Sequence, residues 1–203
     1  MTDLVYCSYP ITPLGIGMKY DPPMWTLDLG RELVRHAIYT PYRDIRDHLQ
    51  DPRFIRALEG KQELVEKRFR SCECLQLPEL LLAPLEQASS YLLAADTPRD
   101  AESIIYKDLY VLIRADLFVC DIDLPSSGAA IEQLYAYGFD IGCVTVSTRF
   151  LHSPWSIHHS SATAKPSMVV PLVRALLKDE DLLPNLESPP SPEAPVEPPS
   201  SGD

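Results

Sequence analysis

Basic residues are scarce in this sequence: 18 lysines and arginines stand against 29 aspartates and glutamates, a formal net charge of −11 over 203 residues. A duplex nucleic acid is a dense polyanion, and its binders show basic surface to displace counterions, so nucleic acid is not expected as the main partner. The shortage does not exclude a small phosphorylated ligand. Backbone N–H groups at a helix N-terminus hold one phosphate without any lysine. Long apolar runs are missing as well. Apolar runs such as Leu80–Leu82 and Leu117–Cys120 are far too short to span a bilayer. The first residues lack a basic stretch followed by an apolar run and a cleavage site. No secretory signal is therefore read, and the expected location is cytoplasmic, with no membrane partner. No internal repeat is visible.

Cysteine is infrequent and odd in number: Cys7, Cys72, Cys74, Cys120 and Cys143. Cys7, Cys120 and Cys143 fall in runs that read as buried strands, where a cysteine is a small hydrophobe rather than half of a disulfide. Cys72-Glu73-Cys74, with His152, His158 and His159, comes nearest to a metal-ligand set. A zinc site usually has wider cysteine spacing and a second ligand pair, so no metal and no cofactor are expected.

What is present is enough for one folded domain. Hydrophobic residues make up 45% of the chain, the proportion of a globular protein with a buried core. Residues 184–203 stand apart, with seven prolines, four acidic residues and no basic one. So little apolar surface predicts a partly extended acidic tail.

Upstream, apolar strands and amphipathic helices alternate. Leu4–Ser8 reads as a first buried strand, and Asp21-Pro22-Pro23 as a helix start. Leu27, Val34 and Ile38, with Leu33 beside them, are expected to mark the buried face of that helix, to about His36. A second strand is expected over Ala37–Thr40. Residues 43–95 read as a charged helical insertion, with helices starting at Asp51-Pro52 and at Pro78. Thr97-Pro98-Arg99-Asp100 resembles a capping box for a helix running to Arg114. A strand over Leu117–Asp121, a helix over Gly128–Tyr137, a strand over Ile141–Val146 and a closing helix over Met168–Leu177 follow. This order predicts a single α/β domain over residues 1–180, Rossmann- or flavodoxin-like, with helices on both faces of a parallel sheet of about five strands. Ligands of such folds bind beyond the C-terminal ends of the strands, so the informative loops follow Ser8 and Asp121.

After Asp121 the chain turns through Pro125-Ser126-Ser127-Gly128 into a helix that carries Glu132 one turn in. Ser126 and Ser127 offer hydroxyls beside the free N–H groups of the helix, and Gly128 allows close approach of a ligand. The same residues also make ordinary turn-and-cap chemistry.

The stretch from Asp108 to Val146 resembles the nucleoside 2-deoxyribosyltransferase superfamily, which includes the 2'-deoxynucleoside 5'-phosphate N-hydrolases. The residues that carry the resemblance are Asp108-Leu109, Ala115-Asp116, Leu117–Cys120, Ser127-Gly128 and Glu132, followed by Tyr135-Ala136 and Ile141–Val146. The resemblance implies an enzyme in which Glu132 attacks the anomeric carbon and Asp108 protonates the departing base or orients the reacting groups, with a nucleotide or nucleoside as small-molecule partner. Six residues before the nucleophile, relatives acting on free nucleosides tend to carry an acidic residue, and those acting on 5'-monophosphates a serine. Ser126 implies the second branch, because a hydroxyl donates to a phosphate that a carboxylate would repel.

Two features depart from the family. Its first strand usually ends in Gly-Pro or Gly-Ser, where Ser8-Tyr9-Pro10 stands here, and its tyrosine in that strand aligns with Val5 or Tyr6. Tyr6, Ser8 and Tyr9 are thus candidate substrate contacts beside Ser126, Ser127 and Gly128. Residues 43–95 are longer than the family pattern needs and are expected to cover the site or form a subunit interface, which makes a homo-oligomer the expected state. Base exchange between nucleosides, or a non-catalytic nucleotide-binding module, would use the same frame.

Overall fold

Strand β1 (Leu4–Ser8) is buried at every position and lies in the interior of a five-stranded sheet. It pairs in parallel with β2 (Ala37–Tyr39) on one side and β3 (Leu117–Asp121) on the other; β4 (Gly142–Val146) and β5 (Ala162–Ala164) continue the sheet beyond β3. The computed structural model describes residues 2–10, 22–41, 43–72, 77–94, 101–123, 126–149 and 154–178. The strand order β2-β1-β3-β4-β5, all parallel, is the flavodoxin-like form of the doubly wound α/β fold. Strands buried on both faces explain why β1 and β3 read as continuous apolar runs rather than alternating ones.

Helices α1 (Met24–Glu32) and α9 (Val169–Leu176) cover one face over Val5, Cys7, Val119 and Val144. The other face, over Leu4, Tyr6, Tyr39, Phe118 and Cys143, carries α3 (Pro52–Glu59), α4 (Gln62–Ser71), α5 (Leu85–Ala94), α6 (Ala101–Leu112) and α7 (Ser127–Gly138). Two short helices, α2 (Ile45–His48) and α8 (Pro154–His158), fill connections. Among the described residues, no helix is long and apolar enough to cross a membrane.

The sheet and main helices follow the sequence pattern, with local corrections. The apolar stripe of α1 is Trp25, Leu29 and, just past its end, Leu33, whereas Leu27 and Val34 are exposed. The helix expected from Pro52 to about Arg70 breaks at Gly60-Lys61, because Lys61 turns inward. Asp51 does cap α3, accepting from the Arg53 N–H at 2.9 Å. Pro78 opens a 3-10 turn over Glu79–Leu82, and Pro84 precedes the α-helix proper. The short strand β5 and the helix α8 carry too weak a pattern to be read. Asp21, residues 97–100 and the tail over 184–203 lie outside the described residues.

Three buried cations fix the turn between α6 and β3. Lys61 Nζ donates to the Arg114 carbonyl at 2.9 Å and to Asp116. Arg68 donates to the carbonyls of Ile113 and Ala115 at 2.7 and 2.8 Å. Arg114 reaches the carbonyls of Leu81 and Ala83, both at 3.1 Å, with its guanidinium 3.6 Å from the Tyr110 ring centre. Cations at a helix C-terminus meet its unpaired carbonyls and the negative end of its dipole. Asp116 completes the clamp by accepting from the Leu4 N–H at 2.6 Å, which ties β3 to the start of β1. The clamp sets where α6 stands over the sheet, and so where Asp108 projects.

Candidate active site

The chain reverses its direction of strand addition between β1 and β3, and the carboxylates gather there. Tyr6 and Ser8 alternate along β1 onto the same face, two residues apart, as strand geometry requires. On α7, the buried positions Ala129, Gln133 and Ala136 turn one side of the helix to the sheet, and Glu132 lies next to that line. The Tyr6 hydroxyl donates to Glu132 Oε1 at 2.7 Å. The Ser8 hydroxyl donates to Glu132 Oε2. Both oxygens of one carboxylate are thus held by hydroxyls from a single strand.

Asp108 approaches from α6. Its Oδ1 accepts from the Tyr39 hydroxyl at 2.7 Å, and Lys107 Nζ lies 3.7 Å from the same oxygen. Tyr39 is the parallel register partner of Tyr6, and the two rings tilt together with centroids 4.9 Å apart. His48 of α2 packs tilted against the Tyr39 ring, centroids 4.8 Å apart, and contacts the Thr40 carbonyl.

Burial controls the ionisation of the group. It raises the Glu132 carboxyl from its ordinary 4.5 to about 7; the negative charge of Asp108 adds to the rise, and the hydroxyls of Ser8 and Tyr6 and the charge of Lys107 oppose it. Asp108 is raised by burial too, against the Lys107 charge and the Tyr39 hydrogen bond. The Tyr6 phenol is pushed well up, by burial first and then by Asp108 and Glu132, so it remains a donor. Burial lowers the His48 imidazole to about 4, which leaves it neutral at neutral pH. Two carboxyls forced to compete for a proton are the usual raw material of acid–base and nucleophilic chemistry.

The remaining sequence candidates divide. Ser126 is the N-cap of α7, its hydroxyl accepting from the Ala129 N–H at 3.3 Å. Ser127 and Gly128 are exposed in the first turn. Among the described residues, a Cβ at Gly128 would meet only the Ser126 hydroxyl, at 3.8 Å. Tyr9 is buried on the α1 side instead, where it lines a cavity of about 400 Å³ with Thr26, Ile38, Thr40 and His48. Beyond β3, Asp121 accepts from Trp25 Nε1 at 3.3 Å, and Asp123 accepts from Ser147 and Thr148, joining the loops after β3 and β4.

Tyr39 and Lys107 are the functional candidates that the sequence did not disclose. Tyr39 sits in a three-residue strand too short to show which face it uses, and only its pairing opposite Tyr6 reveals it. Among the described residues, no three His, Cys, Asp or Glu side chains cluster as a metal-ligand set. Cys72 donates to the Gly138 carbonyl at 2.7 Å, and His158 and His159 pack against Tyr137. Glu73, Cys74 and His152 lie outside the described residues. The chain matches no model of a known protein family and no curated protein sequence.

Proposed function

We propose that this protein cleaves the N-glycosidic bond of a nucleoside or 2'-deoxynucleoside 5'-monophosphate through a covalent intermediate on Glu132. The observation that carries the reading is the geometry of Glu132. Its carboxylate is desolvated at the switch point of the sheet, held through both oxygens by Tyr6 and Ser8, and electrostatically coupled to Asp108.

In the first step Glu132 attacks C1' of the sugar, and the bond to the base breaks as Asp108 gives its proton to the departing base. In the second, Asp108 takes a proton from a water that attacks C1', releasing the sugar phosphate and restoring the Glu132 carboxylate. One carboxyl serves as nucleophile while the other alternates between acid and base, as in retaining glycosidases. Tyr6 and Ser8 hold the attacking carboxylate in one orientation, which lowers the entropy lost on reaching the transition state.

The open end of α7 supplies the phosphate site of this reading. The N–H groups of Ser127 and Gly128 have no acceptor within the helix, and the positive end of its dipole faces the same space. The Ser126 hydroxyl accepts from the Ala129 N–H and keeps its own proton to donate.

The test is to incubate the purified protein with a panel of ribo- and deoxyribonucleosides and their 5'-monophosphates and to resolve free base. Release from a monophosphate by the natural protein, and none by Glu132→Gln, is the expected result. Equal release by both proteins would remove Glu132 from the reaction.

A further inference from the structure

We propose that Tyr39 is a positioning residue for the acid: its hydroxyl anchors Asp108 through Oδ1, leaves Oδ2 to carry the transferable proton, and meets the negative charge that appears when that proton departs. The inference rests on the reaction proposed above and adds to it a residue that touches neither the sugar nor the attacking oxygen.

The geometry singles out one oxygen. Tyr39 donates to Asp108 Oδ1 at 2.7 Å, and Lys107 Nζ approaches that same atom, at 3.7 Å. Among the described residues no hydrogen bond reaches Oδ2. A phenol has one proton, and the Tyr39 hydroxyl spends it on Oδ1, so a proton held by Asp108 belongs on Oδ2. Glu132 differs in this respect, because both its oxygens already accept from hydroxyls. The donors therefore distinguish two otherwise similar carboxyls: Glu132 is gripped at both oxygens and Asp108 at one, which leaves Asp108 a free edge for a proton.

Tyr39 is itself held rigidly. It is fully buried, with the Tyr6 and His48 rings tilted against it at 4.9 and 4.8 Å and the Phe54 ring stacked at 5.8 Å. The charged or titratable groups facing Asp108 are Glu132 from α7, Lys107 from α6, Tyr6 from β1 and Tyr39 from β2. His48 from α2 packs on Tyr39 and is neutral at neutral pH. In the state with one proton on the pair, two carboxyls and one ammonium sum to zero charge. Removing the acid's proton leaves a net negative site, and a hydroxyl aimed at Oδ1 is most valuable at that moment.

The experiment compares pH profiles of kcat/KM for the natural protein and Tyr39→Phe, with a cleaved 2'-deoxynucleoside 5'-monophosphate as substrate. Losing the donor disfavours ionised Asp108 only. The alkaline limb should therefore move to higher pH while the acid limb, set by Glu132, stays. In the plateau kcat should fall roughly tenfold to a hundredfold, the worth of one hydrogen bond to a developing charge, with KM within about twofold. Replacing Tyr39 with 3,5-difluorotyrosine strengthens the donor without changing its packing and should move the alkaline limb the other way. Unmoved limbs in both variants would reduce Tyr39 to a packing residue, and movement of the acid limb alone would place the proton on Glu132. In the substrate-free protein, NMR titration of labelled Asp108 should show the same upward shift in Tyr39→Phe. That readout needs no turnover: absence of any nucleotide cleavage would overturn the reaction, whereas an unshifted Asp108 titration would overturn the role of Tyr39.

Discussion

Tyr6 and Tyr39 stand opposite one another on neighbouring parallel strands, ring centroids 4.9 Å apart, and each gives its hydroxyl proton to a different carboxylate. Tyr6 serves Glu132 on α7, and Tyr39 serves Asp108 on α6. Two consecutive helices, on either side of β3 in the chain, are thus coordinated by one rung of the sheet.

The raised Glu132 carboxyl gives a stability prediction. A folded protein that binds the proton more tightly than the unfolded chain loses stability as pH rises through the interval between the two pKa values, here from 4.5 to about 7. Above that interval Glu132 costs up to about 3 kcal/mol, from 1.36 kcal/mol per pKa unit. Glu132→Gln should therefore raise the melting temperature at pH 8 and change it little at pH 4. Thermal melts across that range check it, and an equal shift at both pH values would contradict it.

Tyr6→Phe removes one of the two donors to Glu132. The carboxyl should then hold its proton to higher pH, and the acid limb of kcat/KM should move upward. Loss of a hydrogen bond to a charged group corresponds to roughly a tenfold to hundredfold fall in rate. Steady-state kinetics between pH 5 and pH 9 would show whether Ser8 alone can keep the nucleophile ionised.

Asp108→Asn should slow cleavage more for poor leaving groups than for activated ones. A general acid matters most where the departing group needs a proton. Comparing a natural nucleotide with a 4-nitrophenyl deoxyribosyl 5-phosphate separates the two. Equal losses on both substrates would give Asp108 some other task.

Ser126→Asp should weaken or reverse a preference for 5'-phosphorylated substrates. The cap geometry survives, since aspartate also accepts from the Ala129 N–H. The added charge repels a phosphate dianion, while a carboxylate oxygen can accept from a free 5'-hydroxyl. The ratio of kcat/KM for a monophosphate and its nucleoside, in both proteins, is the measurement.

Much of the frame was legible because its strands are buried on both sides and so appear as short apolar runs. Leu4–Ser8 and Leu117–Asp121 fall where they were read, and Ser126 caps the helix that carries Glu132. Asp116 shows why its position before β3 matters: it bonds the Leu4 N–H and Lys61, and so aligns β3 with β1. Lys61 and Arg68 were not legible, because they read as surface charges of a helical segment and are instead turned inward onto carbonyls. Tyr39 and Lys107 stayed hidden for a related reason. Their roles depend on which strand lies beside β1 and which way α6 faces, and both are settled by tertiary packing.

The central claim is that Glu132 becomes bonded to the sugar, and intact-protein mass spectrometry tests it most directly. Nucleotides bearing fluorine at the 2' position destabilise the positive charge that builds at C1', which slows breakdown of such an intermediate and lets it accumulate. The account predicts an added mass equal to the fluorinated sugar phosphate, located on the peptide that contains Glu132 and absent in Glu132→Gln. Base release by the natural protein with no adduct, together with undiminished release by Glu132→Gln, would contradict it.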